Sequence, residues 1–569
     1  MEYPKEPYKT QQLGHLGLIS ATIKQLGLID KINQRLPLDF DKGGKISHGH
    51  RSAAMLLNGL GYTNRTLYLS PHFFEDKPLD LLLGINATHE DLNDDMLGRH
   101  LDAIAAYGPT QLFSEIMYEV CTEQDLWRGN YHLDSTSLSL YGDYEAYPDA
   151  SPLPAFGYSK DHRPDLKQIT VTLTQVSEAH LPIWFEANEG NYSDKKGFQE
   201  TVKVLKAFHA SLEAVPDNIP FVVDAAFYTP ESLRDLDNVI WLTRVPSNYR
   251  LARQWLTKPD KSISWEDADE HNKLYSFKVN HEGIAQRWTL VDSAKGRAKS
   301  TATFLKRLNK TYEKESKQLW HICNEVFACT QDAEQAMLKF GKKLKWHQLH
   351  YDIVPILKHQ GRGRPKPGAQ MHCVGYQCHA ALASDIEKIN TETERLGRFI
   401  LATNQLDEEK ISAQEMLSQY KSQTHIERGF GFLKADEFEL DHIYLKNPNR
   451  IGALMMLMTL CLVVYNFAQY RLRQTLAHED TVVPNQLGKP IKKPTLRWIF
   501  QLMSSITVLC LWDGKTESWV KKTCNLKTIH RVILYHYGPQ AMQLYGLHMT
   551  DSPPEYDKNQ KSLTEWCEM

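Results

Sequence analysis

The chain has 569 residues, too many for one ordinary domain. Hydrophobic residues at 42% allow a large core, which excludes a scaffold that depends on disulfide staples. A net charge of −3 excludes a chain that is basic throughout, so any surface for phosphate has to be local.

The nine cysteines are scattered and odd in number. The opening Met-Glu-Tyr-Pro-Lys-Glu is too polar for a secretory signal. Free thiols in a reducing cytoplasm are the expectation.

To about Trp127 the chain reads helical, over Leu13 to Leu36, Ser52 to Leu60 and Pro109 to Val120. The acidic stretch His89 to Asp95 argues against a basic arm, and no clean helix-turn-helix pattern is present. From Gly129 strands take over: Tyr131 to Leu140, Gln168 to Gln175 and Leu181 to Glu186. Asp194 to Ala210 reads as a helix with Val202, Leu205 and Phe208 on one side. Short apolar strands follow at Pro220 to Asp224 and Val239 to Arg244. Leu274 to Val279 and Ala285 to Val291 suggest a hairpin about Asn280–Gly283. Ala298 to Lys345 reads helical and basic. Lys295 to Pro367 holds 16 Lys and Arg against 6 Asp and Glu, a local +10 on a chain that is otherwise −13. That distribution suits either a docking surface or a solvated amphipathic segment. Arg398 to Thr403 is a strand. Ile451 to Phe467 is the most apolar run, a little short for a membrane span and better read as a buried helix. The remainder, Pro484 to Met569, reads as two helical stretches and a polar tail.

Tyr420 to Lys434 carries the chemistry. Tyr420, Glu427 and Lys434 are spaced seven apart, about two helical turns each. Gln423 falls about 60° from that line. A phenol, an amide, a carboxylate and an ammonium then share one helix face. That set suits phosphodiester chemistry, with the acid on a divalent metal and the rest on phosphate oxygens. A surface helix with ordinary polar contacts explains the spacing as well, taken alone. Two further stretches, His132-Leu-Asp134-Ser-Thr136 and Phe221-Val-Val-Asp224, each set one Asp in or at the end of an apolar strand.

With these residues the chain resembles the insertion-sequence DDE transposases, in the subgroup marked by Y-x2-R-x3-E-x6-K. Gly157-Tyr-Ser-Lys-Asp-His-Arg-Pro-Asp165 and Gly190-Asn-Tyr-Ser-Asp194 fit the same family. The signature's Arg is Gln423 here, which lacks a guanidinium's bidentate grip. The resemblance implies Asp134, Asp224 and Glu427 as catalytic and metal-holding acids, with two Mg²⁺ ions for which Mn²⁺ can substitute. It implies Tyr420, Gln423 and Lys434 on DNA phosphates. It also implies double-stranded DNA as partner (terminal inverted repeats and a target), cut-and-paste transposition through a hairpin, and a homodimer in a synaptic complex.

The expected fold class is α/β, a ribonuclease H-like mixed sheet core interrupted by an insertion domain. Asp134 and Asp224 lie 90 residues apart, as the elements between them require, whereas 203 residues separate Asp224 from Glu427. The expected parts are a helical N-terminal domain (1–128), the first part of the core (129–246), an insertion (247–395), the second part of the core (396–475) and a helical C-terminal region (476–569). Gln360-Gly-Arg-Gly-Arg-Pro365 resembles the core of AT-hooks and equally reads as a solvated linker after the insertion. Arg362 and Arg364 are candidate DNA contacts on either reading. His372-Cys373 and Cys378-His379 lack a C-x2-C pair, so ordinary strand alternation accounts for them better than zinc does. The competing functional readings are an inactive DNA-binding protein of this fold, a nuclease that cuts without joining, and a small-substrate phosphohydrolase.

Overall fold

The structure is a computed structural model. It describes residues 7–37, 45–62, 69–141, 144, 151–159, 163–192, 194–210, 212, 219–236, 239–359, 368, 370–434, 445 and 447–548. The chain forms two compact units, residues 1–241 with 419–569, and residues 242–418.

The first unit opens with β1 (Tyr8–Gln12) and the helices α1 (Leu16–Gln25), α2 (Leu28–Arg35), α3 (His48–Gly59), α4 (Ser70–Phe74), α5 (Leu79–Leu83), α6 (Asp94–Tyr107) and α7 (Pro109–Glu123). The helix expected over Leu13 to Leu36 is broken at Gly27, whose φ of +62° suits a residue without a Cβ. Ser47 and Asn93 cap α3 and α6 through their side-chain oxygens. Arg35 of α2 donates to Glu115 and Glu119 of α7, each at 2.7 Å.

A mixed sheet follows, built of β2 (Tyr131–Leu140), β3 (Lys167–Val176), β4 (Leu181–Glu189) and β5 (Phe221–Val223). Helix α8 (Asp194–Ala210) lies before β5 in the chain and α9 (Pro230–Asp235) after it. The strand order is β4-β3-β2-β5. Its first two pairings are antiparallel and β2–β5 is parallel. Three strands, a helix and a strand is the chain order expected above, and the fold class is α/β. The two loop motifs meet beside this sheet. The Gln168 amide donates to the carbonyls of Gly190 (2.7 Å) and Tyr158 (3.2 Å). A Cβ on Gly157 would stand 2.1 Å from the Gly190 carbonyl oxygen.

The second unit holds β6 (Trp241–Val245, from Leu242 on), α10 (Arg250–Leu256), β7 (Glu266–Asp269), β8 (Asn272–His281), β9 (Ile284–Ser293), α11 (Ala294–Cys323), α12 (Thr330–Gly341), β10 (His347–His359), β11 (Met371–Ser384), α13 (Ile386–Glu394) and β12 (Arg398–Thr403). Here the strand order is β6-β12-β9-β8-β7. The β8–β9 hairpin turns at Glu282 and Gly283, whose φ values of +56° and +81° match the twist of a two-residue loop. Helices α11 and α12 pack on one face of the β10–β11 hairpin, around Leu319, Met337, Phe340 and Cys378. The sequence reading did not foresee this hairpin. Gln360 to Pro365, the stretch read as AT-hook-like or as a linker, lies outside the described residues.

Helix α14 (Ala413–Ser422) leads back to the first unit, which ends with α15 (Thr424–Leu433), α16 (Pro448–His478), β13 (Val483–Pro484), β14 (Pro490–Ile491), α17 (Leu496–Met503), β15 (Thr507–Asp513), β16 (Ser518–Cys524), α18 (Thr528–Tyr537) and α19 (Pro539–Leu544). Helix α16 is long and apolar enough to cross a membrane, but 83% of its apolar window is buried within the protein. Arg450 at its start donates twice to Asp102 of α6, each time at 2.6 Å. The C-terminal region is not all helix. Strands β15 and β16 form a three-stranded sheet with β1, because Val508 and Cys510 alternate inward as a strand requires.

Gly190→Ala should destabilise the first unit by about 1–3 kcal/mol, the usual cost of overpacking. The new Cβ would meet the backbone oxygens of Gln168 and Ala155 at 2.1 and 2.3 Å. A thermal melt tests this; an unchanged midpoint would mean that the two loops do not hold each other.

Candidate active site

Parallel pairing sets the first two acids side by side. In register, Tyr131 faces Phe221, His132 faces Val222 and Leu133 faces Val223. Asp134 and Asp224 each come one residue later, on neighbouring strands about 4.8 Å apart. Asp134 is half-buried and Asp224 is exposed. Each bends one carboxylate oxygen back to the next backbone N–H, Ser135 at 2.8 Å and Ala225 at 2.6 Å. Asp224 thereby caps a short 3₁₀ turn at the end of β5.

The third acid stands on a helix laid over the same sheet. Successive residues of a strand alternate faces, so Asp134 shares a face with His132. His132 is hydrogen-bonded through Nε2 to the Ser422 hydroxyl at 2.9 Å. Gln175, opposite His132 on β3, reaches the helix at Gly429. A Cβ on Gly429 would lie 2.9 Å from the Gln175 amide nitrogen and 3.1 Å from Leu462 of α16, so this glycine lets α15 sit close. Gly431 faces open space. Ile426, Gly429, Phe430 and Leu433 form the buried stripe of α15, and Glu427 lies exposed beside it.

Tyr420 to Lys434 is two helices, not one. Between α14 and α15 the backbone tightens, with Gln423 N–H bonded to the Tyr420 carbonyl and Ile426 N–H to that of Gln423. Tyr420 therefore lies in the last turn of α14, Gln423 occupies the break, Glu427 lies in the first turn of α15, and Lys434 caps its end. The break gives Glu427 its own helix N-terminus, where the macrodipole favours a carboxylate.

Three histidines cluster at the start of this helix, His425 on it and His132 and His180 from outside it. His425 stacks on His180 with ring centres 3.6 Å apart. Burial, with some help from a charge at His425, lowers the His132 pKa to about 4. Burial, then His425, His132, Arg473 and Arg428, lowers that of His180 to about 3. Burial and the same two arginines also lower His425. All three are neutral at pH 7. No neighbouring motif marks His180 in the sequence.

The donor type of the three acids, hard carboxylate oxygen, fits Mg²⁺ or Mn²⁺. Their spacing is less complete. Among the described residues no group of three or more His, Cys, Asp or Glu is close enough to hold a metal ion. The register brings Asp134 beside Asp224. Cys373 is exposed and Cys378 is buried in the core between α11, α12 and the hairpin, so they do not form a zinc pair. Arg362 and Arg364 lie outside the described residues.

Residues 132–464 match the family described as Transposase DDE domain, and residues 8–118 match a domain of unknown function, DUF4277. No curated protein matches the chain. Among solved structures, a piggyBac transposase synaptic complex with hairpin DNA aligns at a TM-score of 0.35 and 10% identity, covering 88% of this chain and 83% of that one.

The histidines give a pH dependence of definite sign. Their folded pKa values lie below the ordinary 6.5, so between pH 6.5 and 4 the unfolded chain binds protons that the folded chain does not. Stability is full above pH 6.5 and falls as the pH drops toward 4. His132 alone contributes a loss of about 3 kcal/mol. Urea unfolding at several pH values should show a shallower decline for His132→Gln than for the wild type; parallel declines would contradict the assignment.

Proposed function

The chain belongs to the Transposase DDE domain family, and on that premise we propose that Asp134, Asp224 and Glu427 are the acids with which it cuts and joins DNA. The observation that supports this most is the β2–β5 register, which sets Asp134 next to Asp224 inside the span that matches the family. Two divalent cations, Mg²⁺ or Mn²⁺, would lower the pKa of an attacking water or 3′-hydroxyl and stabilise the leaving 3′-oxygen.

The protein's own groups do the rest. Asp134 within β2 and Asp224 just past the end of β5 are placed by the pairing of those two strands. Glu427 completes the set from the first turn of α15. Tyr420 and Lys434, at opposite ends of the motif, hold phosphates of the transposon end. Gln423 adds a neutral amide contact in place of a guanidinium, and Arg362 and Arg364 add further phosphate contacts.

The reading extends to the subgroup marked by Y-x2-R-x3-E-x6-K and its reaction. The element is an insertion sequence, excised by cut-and-paste through a hairpin at each end and rejoined at a target by the freed 3′-hydroxyl. Terminal inverted repeats and target duplex are the partners, and a homodimer holds two ends in the cytoplasm at the nucleoid. Residues 1–128 and 476–569 flank a core of 129–246 and 396–475, and the insertion 247–395 covers the bound end.

Replacing Asp134, Asp224 or Glu427 with Ala should lower cleavage of transposon-end DNA by about 10³-fold or more, equivalent to several kcal/mol of transition-state stabilisation. End binding should persist. A gel assay with labelled ends separates the two effects, and normal cleavage by any one variant removes that residue from the site. Lys434→Ala should instead weaken end binding.

A further inference from the structure

Helix α11 carries its charge in an unusual place. It runs 30 residues with no acidic residue in its first turn. Lys295, Arg297 and Lys299 crowd its N-terminus, where the macrodipole disfavours cations. Arg297 pairs with Asp292. Lys295 and Lys299 pair with no carboxylate among the described residues, and the same holds for Lys306, Lys310 and Lys317.

These five lysines fall on one line. At about 100° per residue they lie within about 60° of one another around the axis. All five are exposed. The residues α11 buries, Phe304, Glu315 and Leu319, fall on the opposite side. One acid, Glu313, interrupts the stripe, and the other nearby acid, Glu315, is turned inward to His347 at 2.6 Å. Trp320, 63% exposed, extends the stripe just beyond Lys317. From Lys295 to Lys317 the rise is about 33 Å, close to the roughly 34–36 Å of one turn of B-DNA.

We propose that this lysine stripe docks the sugar–phosphate backbone of duplex DNA, with α11 lying along the duplex for one helical turn. The inference rests on the reading of the chain as a DNA transposase and assigns a DNA surface to the second unit, outside the acids and the Tyr420 to Lys434 motif. Charge complementarity selects the partner. Unpaired ammonium groups on a rigid rod match evenly spaced phosphates, and they release counterions without reading bases. An anion along the stripe also offsets the repulsion between the first lysines and the helix dipole.

The test compares the full-length wild type with Lys295→Gln, Lys299→Gln, Lys306→Gln, Lys310→Gln and Lys317→Gln combined. Each is titrated with a duplex of arbitrary sequence, about three helical turns long, between about 50 and about 200 mM salt. The slope of log K against log salt should become shallower by about 0.9 for each lysine that contacts a phosphate, about 3–4.5 in all for three to five contacts. Affinity at low salt should fall by about tenfold or more. Lys489→Gln, Lys493→Gln and Lys515→Gln combined, all exposed in the first unit, should keep the wild-type slope. An unaltered slope in a five-lysine variant with a native melting curve overturns the stripe and leaves the transposase reading standing. Failure of the wild type to bind duplex DNA overturns both.

Discussion

The parallel pairing of β2 with β5 is the constraint on which the site depends. Two carboxylates repel, and side chains on loops would drift apart to relieve that repulsion. Here backbone hydrogen bonds between two largely buried strands fix the positions at which Asp134 and Asp224 emerge. The strand ends are held by apolar packing, with the Tyr131 and Phe221 rings in edge contact at 5.0 Å. The cost of keeping like charges together is met by the sheet, and a cation between them would reverse it.

The helix above the sheet is held differently. Helix α15 is seated by close approach at Gly429 and by the stacked His180 and His425 rings, and the end of α14 just before it by the His132–Ser422 hydrogen bond. These contacts lie on its inner side and near its start, and Glu427 projects from the edge. Neutral imidazoles suit that interior, since each would otherwise add a positive charge beside Arg428 and Arg473. Two aspartates placed by strand pairing and a glutamate on the helix seated over them make up the candidate site.

Much of this was legible in the sequence because local pattern and final structure agree. The strand Tyr131 to Leu140 and the helix Asp194 to Ala210 form with the bounds read from the sequence. The break at Gln423 was not legible. A 3₁₀ turn of two hydrogen bonds leaves no Pro or Gly at the position, and tertiary packing of Ile426 and Phe430 sets the new phase. The β10–β11 hairpin was missed because half of its residues face solvent and its helix-packed face mixes Cys, Ala, Tyr and Leu. Strands β15 and β16, which pair with each other as a local hairpin, were also missed; the other partner of β15, β1, lies about five hundred residues away. His180 became visible only when the fold stacked it on His425.

The most direct measurement of the central claim is cleavage of the polypeptide itself by Fe²⁺ and peroxide in the presence of transposon-end DNA, with Mg²⁺ as competitor. Iron in place of magnesium cuts the backbone nearest the bound ion. If the three acids share one site, cuts should cluster near residues 134, 224 and 427 and vanish together as Mg²⁺ is added. Cuts near one acid alone, or three sets that Mg²⁺ suppresses independently, would contradict a shared site.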